Sequence, residues 1–163
     1  MQFLIDGIFD EAENRYLKPE ELRDLGQYVS SLTARMSTYR AVRDHEVAMV
    51  QKVADQLELE MPGVAIATVE RSIKNAMLSL RYCAMAMLSQ NESLVEKQLL
   101  PWLKESVQLH NTAEVDAVVF SLLKQQLRLS LNAQQMAMFE PFLALVEVTP
   151  ALEEDLLTIA GMF

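Results

Sequence analysis

A stripe of apolar residues runs through the middle of the chain, from Val69 to Leu88. Its members recur every three or four positions, the spacing that lines one side of an α-helix. They are Val69, Ile73, Ala76, Met77, Leu80, Ala84, Met87 and Leu88. The first half of the stretch has a polar edge formed by Glu70, Arg71, Lys74 and Asn75, whereas its second half, from Tyr82, is apolar on every side. We therefore expect a core helix whose first half meets water or a ligand and whose second half is buried on all faces.

The chain before this central helix predicts three further helices. The first is short and amphipathic, and one face of it carries Phe3, Leu4, Ile8 and Phe9. The second begins at Lys18-Pro19, since proline favours the first turn of a helix. Its inward residues are expected to be Leu22, Leu25, Val29, Leu32 and Met36. A soft break at Ser37-Thr38 precedes the third helix, which ends at Met61-Pro62-Gly63, where Gly63 allows a left-handed residue and so a tight connection.

Four features divide the chain after the central helix. Residues 89–93 form a polar turn, Pro101 interrupts the helical stretch 94–109, and Asn111-Thr112 is a plausible cap for the next helix. Asn132 separates that helix from a final pair, of which the first is broken or kinked near Pro141 and the second starts at Thr149-Pro150. Seven or eight short-linked helices predict an all-α fold of the globin-like or bundle type.

Composition narrows the class of protein. A chain of 163 residues, of which 51% are hydrophobic, with 4 Gly and 5 Pro, is typical of one compact helical domain. The net charge of -9, without any cluster of lysine and arginine, argues against nucleic-acid binding. No apolar run reaches the ~18 to 20 residues that a membrane span needs, and the start lacks the features of a signal peptide. We expect a soluble, intracellular protein without membrane insertion.

Few residues have the pattern of a catalytic or metal site. His45 and His110 lie on different segments without partners at a recurring ligand spacing, so neither a metal nor a haem is expected. Cys83 lies in the all-apolar half of the central helix, where a buried and inert thiol is the better interpretation. No glycine-rich phosphate loop exists. The sequence therefore predicts no enzyme activity.

Two segments have a recognisable order and spacing. They are EAENRYLKPEEL, Glu11 to Leu22, followed by helices that end in VADQLELEMPGV, and LRYCAMAMLSQNESLVEK, Leu80 to Lys97. Both resemble phycobiliproteins of the allophycocyanin type, the bilin-carrying antenna subunits of phycobilisomes, over about Met1 to Val148. The resemblance implies a globin-like, all-α fold with an amino-terminal helical extension. We expect a single domain, 1–163, with a pairing segment 1–17, a core 18–148 and an extra carboxy-terminal helix 149–163 that packs on its own domain or docks on a partner.

The pigment-binding positions of that family differ here. Counting back from Leu80-Arg81, the cysteine that forms the thioether to the bilin is replaced by Ser72, an arginine by Lys74 and an aspartate by Asn75. A hydroxyl does not form that thioether, because the chemistry depends on a sulfur nucleophile. A neutral amide does not compensate the charge of the bilin as a carboxylate does. The connection from Pro62 to Ser72 is also shorter than in the family, so we expect no covalent bilin and no other cofactor.

The assembly surface that the resemblance implies is retained. In phycobiliproteins the first helices dock on a partner subunit, and the matching positions here are Glu11, Tyr16 and Arg81. Leaving Phe3, Ile8 and Phe9 exposed would forgo ~1.5 to 3 kcal/mol for each side chain. These six residues are therefore the predicted subunit interface, for a homodimer or for pairing with a phycobiliprotein or other phycobilisome subunit.

The resemblance favours a function in the phycobilisome. We expect a bilin-free protein that acts by protein contacts in phycobilisome assembly, turnover or regulation, or in association with the photosystem. Such a protein would be cytoplasmic or peripheral to the cytoplasmic face of the thylakoid membrane. The alternative is a carrier or sensor that binds a bilin or another apolar ligand without a covalent bond, for which Ser72, Lys74 and Asn75 are the first residues to examine.

Overall fold

The computed structural model describes the backbone of residues 7–160 and the side chains of residues 7–147. Within the described backbone, a helical turn at 7–10 precedes five α-helices and one π-helical segment, and no strand occurs. The elements are α1 Pro19–Glu60, α2 Ile66–Ser89, the π-helical segment Leu94–Leu99, α3 Leu100–His110, α4 Ala113–Ser130 and α5 Ala133–Ala160. The all-α class predicted from the apolar spacing is confirmed.

Helix α2 lies at the centre of the fold, because it contacts α1, α4, α5 and the π-helical segment. The side chains without solvent exposure at this centre come from four different helices. They include Leu57 of α1, Cys83 of α2, Val119 of α4 and Phe139 of α5. The central helix predicted from the sequence is thus the helix around which the core forms. One expectation for it is wrong, since Met85 in its second half is exposed.

Helix α1 is a single helix of 42 residues, although a break was predicted at Ser37-Thr38. The hydroxyl of Thr38 is buried and donates to the carbonyl oxygen of Ala34 at 2.9 Å, so this residue is accommodated within the helix. Leu22, Val29 and Met36, which were predicted to point inward, are 60%, 58% and 39% exposed.

The fully buried residues of α1 run from Arg35 to Leu57, and none occurs from Pro19 to Ala34. The first turns of α1 therefore lie at the margin of the core. The apolar residues there share a helix face, but that face does not meet the centre of the molecule.

The connections between helices occur where they were predicted, but the left-handed backbone conformation occurs at other residues than Gly63. Helix α1 ends at Glu60, directly before Met61-Pro62-Gly63. Gly63 is not left-handed, since no described glycine has a positive φ. That conformation occurs instead at Gln90, after α2, and at Asn111, after α3, each with a φ of 51°. Both residues end a helix in the left-handed conformation that glycine most often adopts at this position.

The two prolines of the carboxy-terminal half have different effects. Near Pro101 the π-helical segment changes to α3, in keeping with the missing N–H of proline. Pro141 does not break its helix, because α5 is continuous where a pair of helices was predicted. Buried Phe139, Phe142, Leu143 and Val146 form an apolar stripe on both sides of Pro141, and this packing favours an unbroken helix. The predicted start of a separate helix at Thr149-Pro150 is therefore wrong.

Candidate functional site

The three positions singled out on α2 do not form one surface. Ser72 and Asn75 have no solvent exposure, whereas Lys74 is exposed. The expectation that Asn75 belongs to a solvent-facing polar edge is wrong. Residues 72, 75 and 79 follow one another at helical spacing, so they lie on the same buried face of α2.

That buried face contributes to a polar cluster, which we define as Ser72, Asn75, Ser106, Thr112 and Asp116. Hydrogen bonds join the last four of these residues. The amide Nδ2 of Asn75 donates to Asp116 Oδ2 at 3.3 Å, and Ser106 Oγ donates to Asn75 Oδ1 at 3.3 Å. Thr112 Oγ1 donates to the same Asp116 oxygen at 2.6 Å. The side chain of Asn75 thereby links α2 to α3 and α4.

Two atoms of the polar cluster have no hydrogen-bond partner among the described residues. They are Ser72 Oγ and Asp116 Oδ1, and both are buried. A polar group buried in this way costs free energy unless it is bonded, so each of these two atoms lowers the stability of the fold as described. Ser72, at the position expected for the attachment cysteine, offers a hydroxyl instead of a thiol and has no solvent exposure. The residues present do not fit a covalently held bilin.

Sequence reasoning missed the three cluster residues outside α2. Asp116 lies among the inner valines and leucines of α4 and is almost fully buried. An acidic residue inside an otherwise apolar helix face was the signal that could have identified it. Thr112 was identified only as a cap, but its hydroxyl bonds the Asp116 carboxylate and makes no capping hydrogen bond.

The amino-terminal segment is fastened to α1 through Arg15. Its guanidinium donates to Glu11 at 2.7 Å and to both carboxylate oxygens of Glu21 at 2.7 and 2.8 Å. The N–H of Lys18 donates to Glu21 at 2.8 Å. The bonds from Arg15 and then from Lys18 lower the pKa of Glu21 to about 2. Glu11, predicted to lie at an interface, is thus ion-paired within the chain.

The other predicted interface residues differ in their exposure. Tyr16 is 98% exposed and Phe9 is also exposed, whereas Ile8 is buried. Phe3 lies outside the described residues. Arg81 is exposed and donates to the two carboxylate oxygens of Glu46 on α1 at 2.8 and 3.1 Å. Glu11 and Arg81 therefore each have a partner in their own chain.

The comparison with protein families gives a match to the phycobilisome proteins over residues 9–148. The chain belongs to the phycobilisome protein family. Membership confirms the resemblance and the globin-like phycobiliprotein fold expected from it. Members of this family are light-harvesting structural proteins and not enzymes. No curated protein sequence matches the chain significantly.

A cleft of about 840 Å³ lies beside the carboxyl end of α2 in this phycobilisome protein. Its apolar lining includes Met87, Met138 and Phe142. Arg35, only 2% exposed, also lines it and donates to the backbone oxygens of Tyr28, at 2.7 Å, and Leu88. No carboxylate among the described residues lies within ion-pair distance of Arg35. The guanidinium therefore caps the carboxyl end of α2, where the helix dipole is negative.

The thiol of Cys83 lies in the core of the protein. It has no solvent exposure, and its Sγ donates to the carbonyl oxygen of Phe142 at 3.4 Å. Burial raises the pKa of this thiol to about 12, so very little reactive thiolate forms near neutral pH. The predicted burial of Cys83 is confirmed.

In the described part of the chain, no three side chains of His, Cys, Asp or Glu converge at a distance suitable for a metal ion. Across the same residues, none of the helices combines the length and the apolar character needed to cross a membrane.

Proposed function

We propose that this phycobilisome protein carries no covalent bilin and acts through protein contacts. Its place would be in phycobilisome assembly, turnover or regulation, or at the contact between antenna and photosystem. The observation that supports this most directly is the burial of Ser72, the residue at the attachment position, beside an Asn75 already bonded to Asp116. Neither the chemistry nor the accessibility of Ser72 suits thioether formation.

The amino-terminal surface is the proposed contact with other subunits. Tyr16 and Phe9 present aromatic side chains to solvent, and exposed aromatic residues are common at protein interfaces. The partner is a second copy or a phycobiliprotein subunit, and the site of action is the cytoplasm or the cytoplasmic face of the thylakoid membrane. An acidic group on the partner would compete with Glu46 for Arg81.

Absorption spectroscopy tests the pigment part of the proposal. The protein is produced together with bilin-making enzymes and a bilin lyase, purified and denatured in acid urea. We expect no visible band, whereas a phycobiliprotein subunit treated in the same way keeps one. A band that survives denaturation would contradict the proposal.

Affinity isolation tests the functional part. The tagged protein is isolated from phycobilisome-containing cells grown with and without nutrient stress, and the proteins that accompany it are identified. Phycobilisome or photosystem subunits, present in proportion to the bait, support the proposal. Their absence under both conditions would contradict it.

A charge reversal at Glu11 tests the contact surface. Glu11→Arg breaks the ion pair with Arg15 and should weaken association, because it reverses a charge within the amino-terminal surface. Glu58→Arg makes the same change at an exposed position in the last turn of α1 and serves as the control. Equal association of the two variants would count against the amino-terminal surface.

The 840 Å³ cleft favours a second candidate, a carrier or sensor that binds a bilin or another apolar ligand without a covalent bond. Its volume lies within the range of small-molecule sites, ~300 to 1,000 Å³. Titration with free phycocyanobilin separates the two functions, since tight binding with an induced red band supports the carrier. Met138→Trp, which fills the cleft, should then abolish the band.

A further inference from the structure

The cleft beside the carboxyl end of α2 extends from the interior of the protein to its surface. At its inner end lie Arg35 and Met87, which are 2% and 1% exposed, whereas Ala137 and Pro141 at its outer end are exposed. One wall of the cleft is apolar and consists of Met87, Ala137, Met138, Pro141 and Phe142. An apolar opening with a few placed polar groups is the usual form of a small-molecule site.

Arg35 places a positive charge at the inner end that the described residues neutralise only in part. Its guanidinium donates to the backbone oxygens of Tyr28 and Leu88 and, at 3.1 Å, to Ser31 Oγ. The carboxyl end of a helix contributes the equivalent of roughly half a negative charge. Between residues 7 and 147, no carboxylate forms an ion pair with Arg35. A buried charge without full compensation costs free energy, so an anion bound here would be stabilising.

The guanidinium of Arg35 also has hydrogen-bond donors left for an anion. Arginine has five N–H groups, and the bonds to Tyr28, Leu88 and Ser31 use one on each nitrogen. Each of the two terminal nitrogens therefore keeps one N–H without an acceptor among the described residues. A carboxylate accepts two N–H bonds from one guanidinium, and such charge-assisted pairs are the strong ones.

The side chain of Gln90 is a second incomplete group at the same place. Its Nε2 donates to Ser31 Oγ at 3.5 Å, and the same oxygen accepts from Arg35 Nε, so the two side chains are neighbours. Gln90 Oε1 is buried and has no hydrogen-bond partner among the described residues. A half-turn of the amide exchanges Oε1 and Nε2 and puts an N–H donor in that position. The amide and the guanidinium then offer adjacent donors to one carboxylate.

We propose that this cleft binds an aliphatic monocarboxylate, with its carboxylate on Arg35 and Gln90 and its hydrocarbon chain along the apolar wall. This goes beyond the proposed protein contacts and names the ligand of the second candidate function, so it rests on that candidate. A single buried cation suits a single carboxylate. The apolar wall, which α2 and α5 form together, suits a chain without further polar groups.

The charges at the mouth of the cleft favour the orientation with the carboxylate inward. Glu92, Glu96 and Lys97 line the cleft and are exposed. Two carboxylates and one ammonium give this rim a net negative charge, which repels an anionic head group held at the surface. An amphiphile with a cationic head group would instead meet Arg35, a like charge, at the inner end.

Calorimetric titration tests the ligand class. Dodecanoate, dodecanol and dodecyltrimethylammonium have the same chain and are titrated separately, each below the concentration at which it forms micelles. We expect one dodecanoate to bind per chain, at least about tenfold more tightly than dodecanol, and no binding of the cation. Equal binding of dodecanoate and dodecanol, or no binding of dodecanoate, would overturn the proposal.

An isosteric substitution tests the role of Arg35 without removing it. Gln90→Glu keeps the size of the side chain but places a carboxylate beside the guanidinium, where it competes with the ligand. Dodecanoate affinity should fall about tenfold or more, while thermal unfolding, followed by circular dichroism, should not move to a lower temperature. Gln27→Glu makes the same charge change at an exposed position of α1 outside the cleft and should bind as the wild type does. Equal affinities of the two variants would contradict the assignment of Arg35.

A bulky side chain tests the location. Met138→Trp fills the cleft and leaves Arg35 unchanged, so dodecanoate binding should be lost. Met85→Trp makes the same change at an exposed position that does not line the cleft, and binding should persist. Unchanged binding to Met138→Trp would place the ligand elsewhere and overturn the proposal.

The outcomes for the proposed functions are separate. A chain that binds free phycocyanobilin but not dodecanoate would overturn the monocarboxylate and leave the carrier function standing. A chain that binds neither would contradict both. In either case, phycobilisome subunits isolated with the tagged protein would still support the function through protein contacts, because that experiment does not depend on the cleft.

Discussion

The side-chain amide of Asn75 donates to the carboxylate of Asp116, two residues that are 41 positions apart in sequence and both buried. This bond joins α2 to α4 at Asn75, one of the three positions that the sequence predicted as a former pigment site. Because Ser106 and Thr112 bond the same two side chains, the contact is part of a network rather than an isolated pair. The polar cluster should therefore stabilise the fold, and its contribution to the free energy of unfolding can be measured.

Replacing Asn75 should destabilise the fold strongly. Asn75→Leu removes a donor from Asp116 and the acceptor of Ser106, and it leaves a buried carboxylate bonded only by Thr112. We expect a loss of about 2 to 4 kcal/mol in the free energy of unfolding, measured by urea denaturation. The exposed neighbour supplies the control, since Lys74→Ala should change stability by less than about 0.5 kcal/mol. Similar values for both variants would argue against the network.

Restoring a thiol at position 72 should not restore the pigment. Ser72→Cys introduces the sulfur that the thioether requires, but the side chain has no solvent exposure and lies beside the bonded Asn75. We expect no visible band in acid urea after production with bilin-making enzymes and a lyase, as for the wild type. A covalent bilin on this variant would show that the absence of sulfur at position 72 is the sole barrier to covalent attachment.

The native thiol should be unreactive until the protein unfolds. Burial raises the pKa of Cys83 to about 12, so at pH 8 both access and the thiolate fraction are low. We expect almost no reaction with a disulfide reagent such as Ellman's reagent in native buffer and one thiol per chain in denaturant. Gln27→Cys, at an exposed position of α1, should react at once in native buffer and confirms that the reagent is active. Rapid labelling of native Cys83 would contradict the buried position.

The Arg15–Glu21 contact should make stability depend on acid pH. The folded-state pKa of Glu21 is lowered from 4.5 to about 2, so the contact stabilises the fold above pH 4.5 and is lost as the pH falls to 2. Thermal unfolding of Glu21→Gln should therefore occur below the wild-type temperature at pH 7, with a difference that shrinks between pH 4.5 and 2. Glu58→Gln, at an exposed site, should show no such trend. A constant difference for Glu21→Gln would contradict the assigned contact.

Helical periodicity was sufficient to predict much of the fold. The central helix and the turns after Glu60 and Ser89 depend on strong local signals: a long apolar stripe, a proline and a run of polar residues. The predicted breaks at Ser37-Thr38 and Pro141 depended on weak signals. There the packing of a whole helix face outweighed the local preference.

The functional features were harder to predict for two physical reasons. Apolar spacing shows that Leu22, Val29 and Met36 share a face, but it does not show whether that face meets the core or solvent. The hydrogen bond between Asn75 and Asp116 joins distant parts of the sequence, so no local sequence pattern predicts it. The family resemblance identified position 75, whereas Asp116 is identified as its hydrogen-bond partner only by the folded structure.

The continuity of α1 has a geometric consequence. One uninterrupted helix of 42 residues, ~63 Å long, joins a solvent-exposed end at Leu22 to a buried end at Leu57. Because no break separates the two ends, their distance and relative angle are set by the helix itself. Adding a single residue within this helix would rotate one end by ~100° relative to the other and move it by ~1.5 Å along the axis.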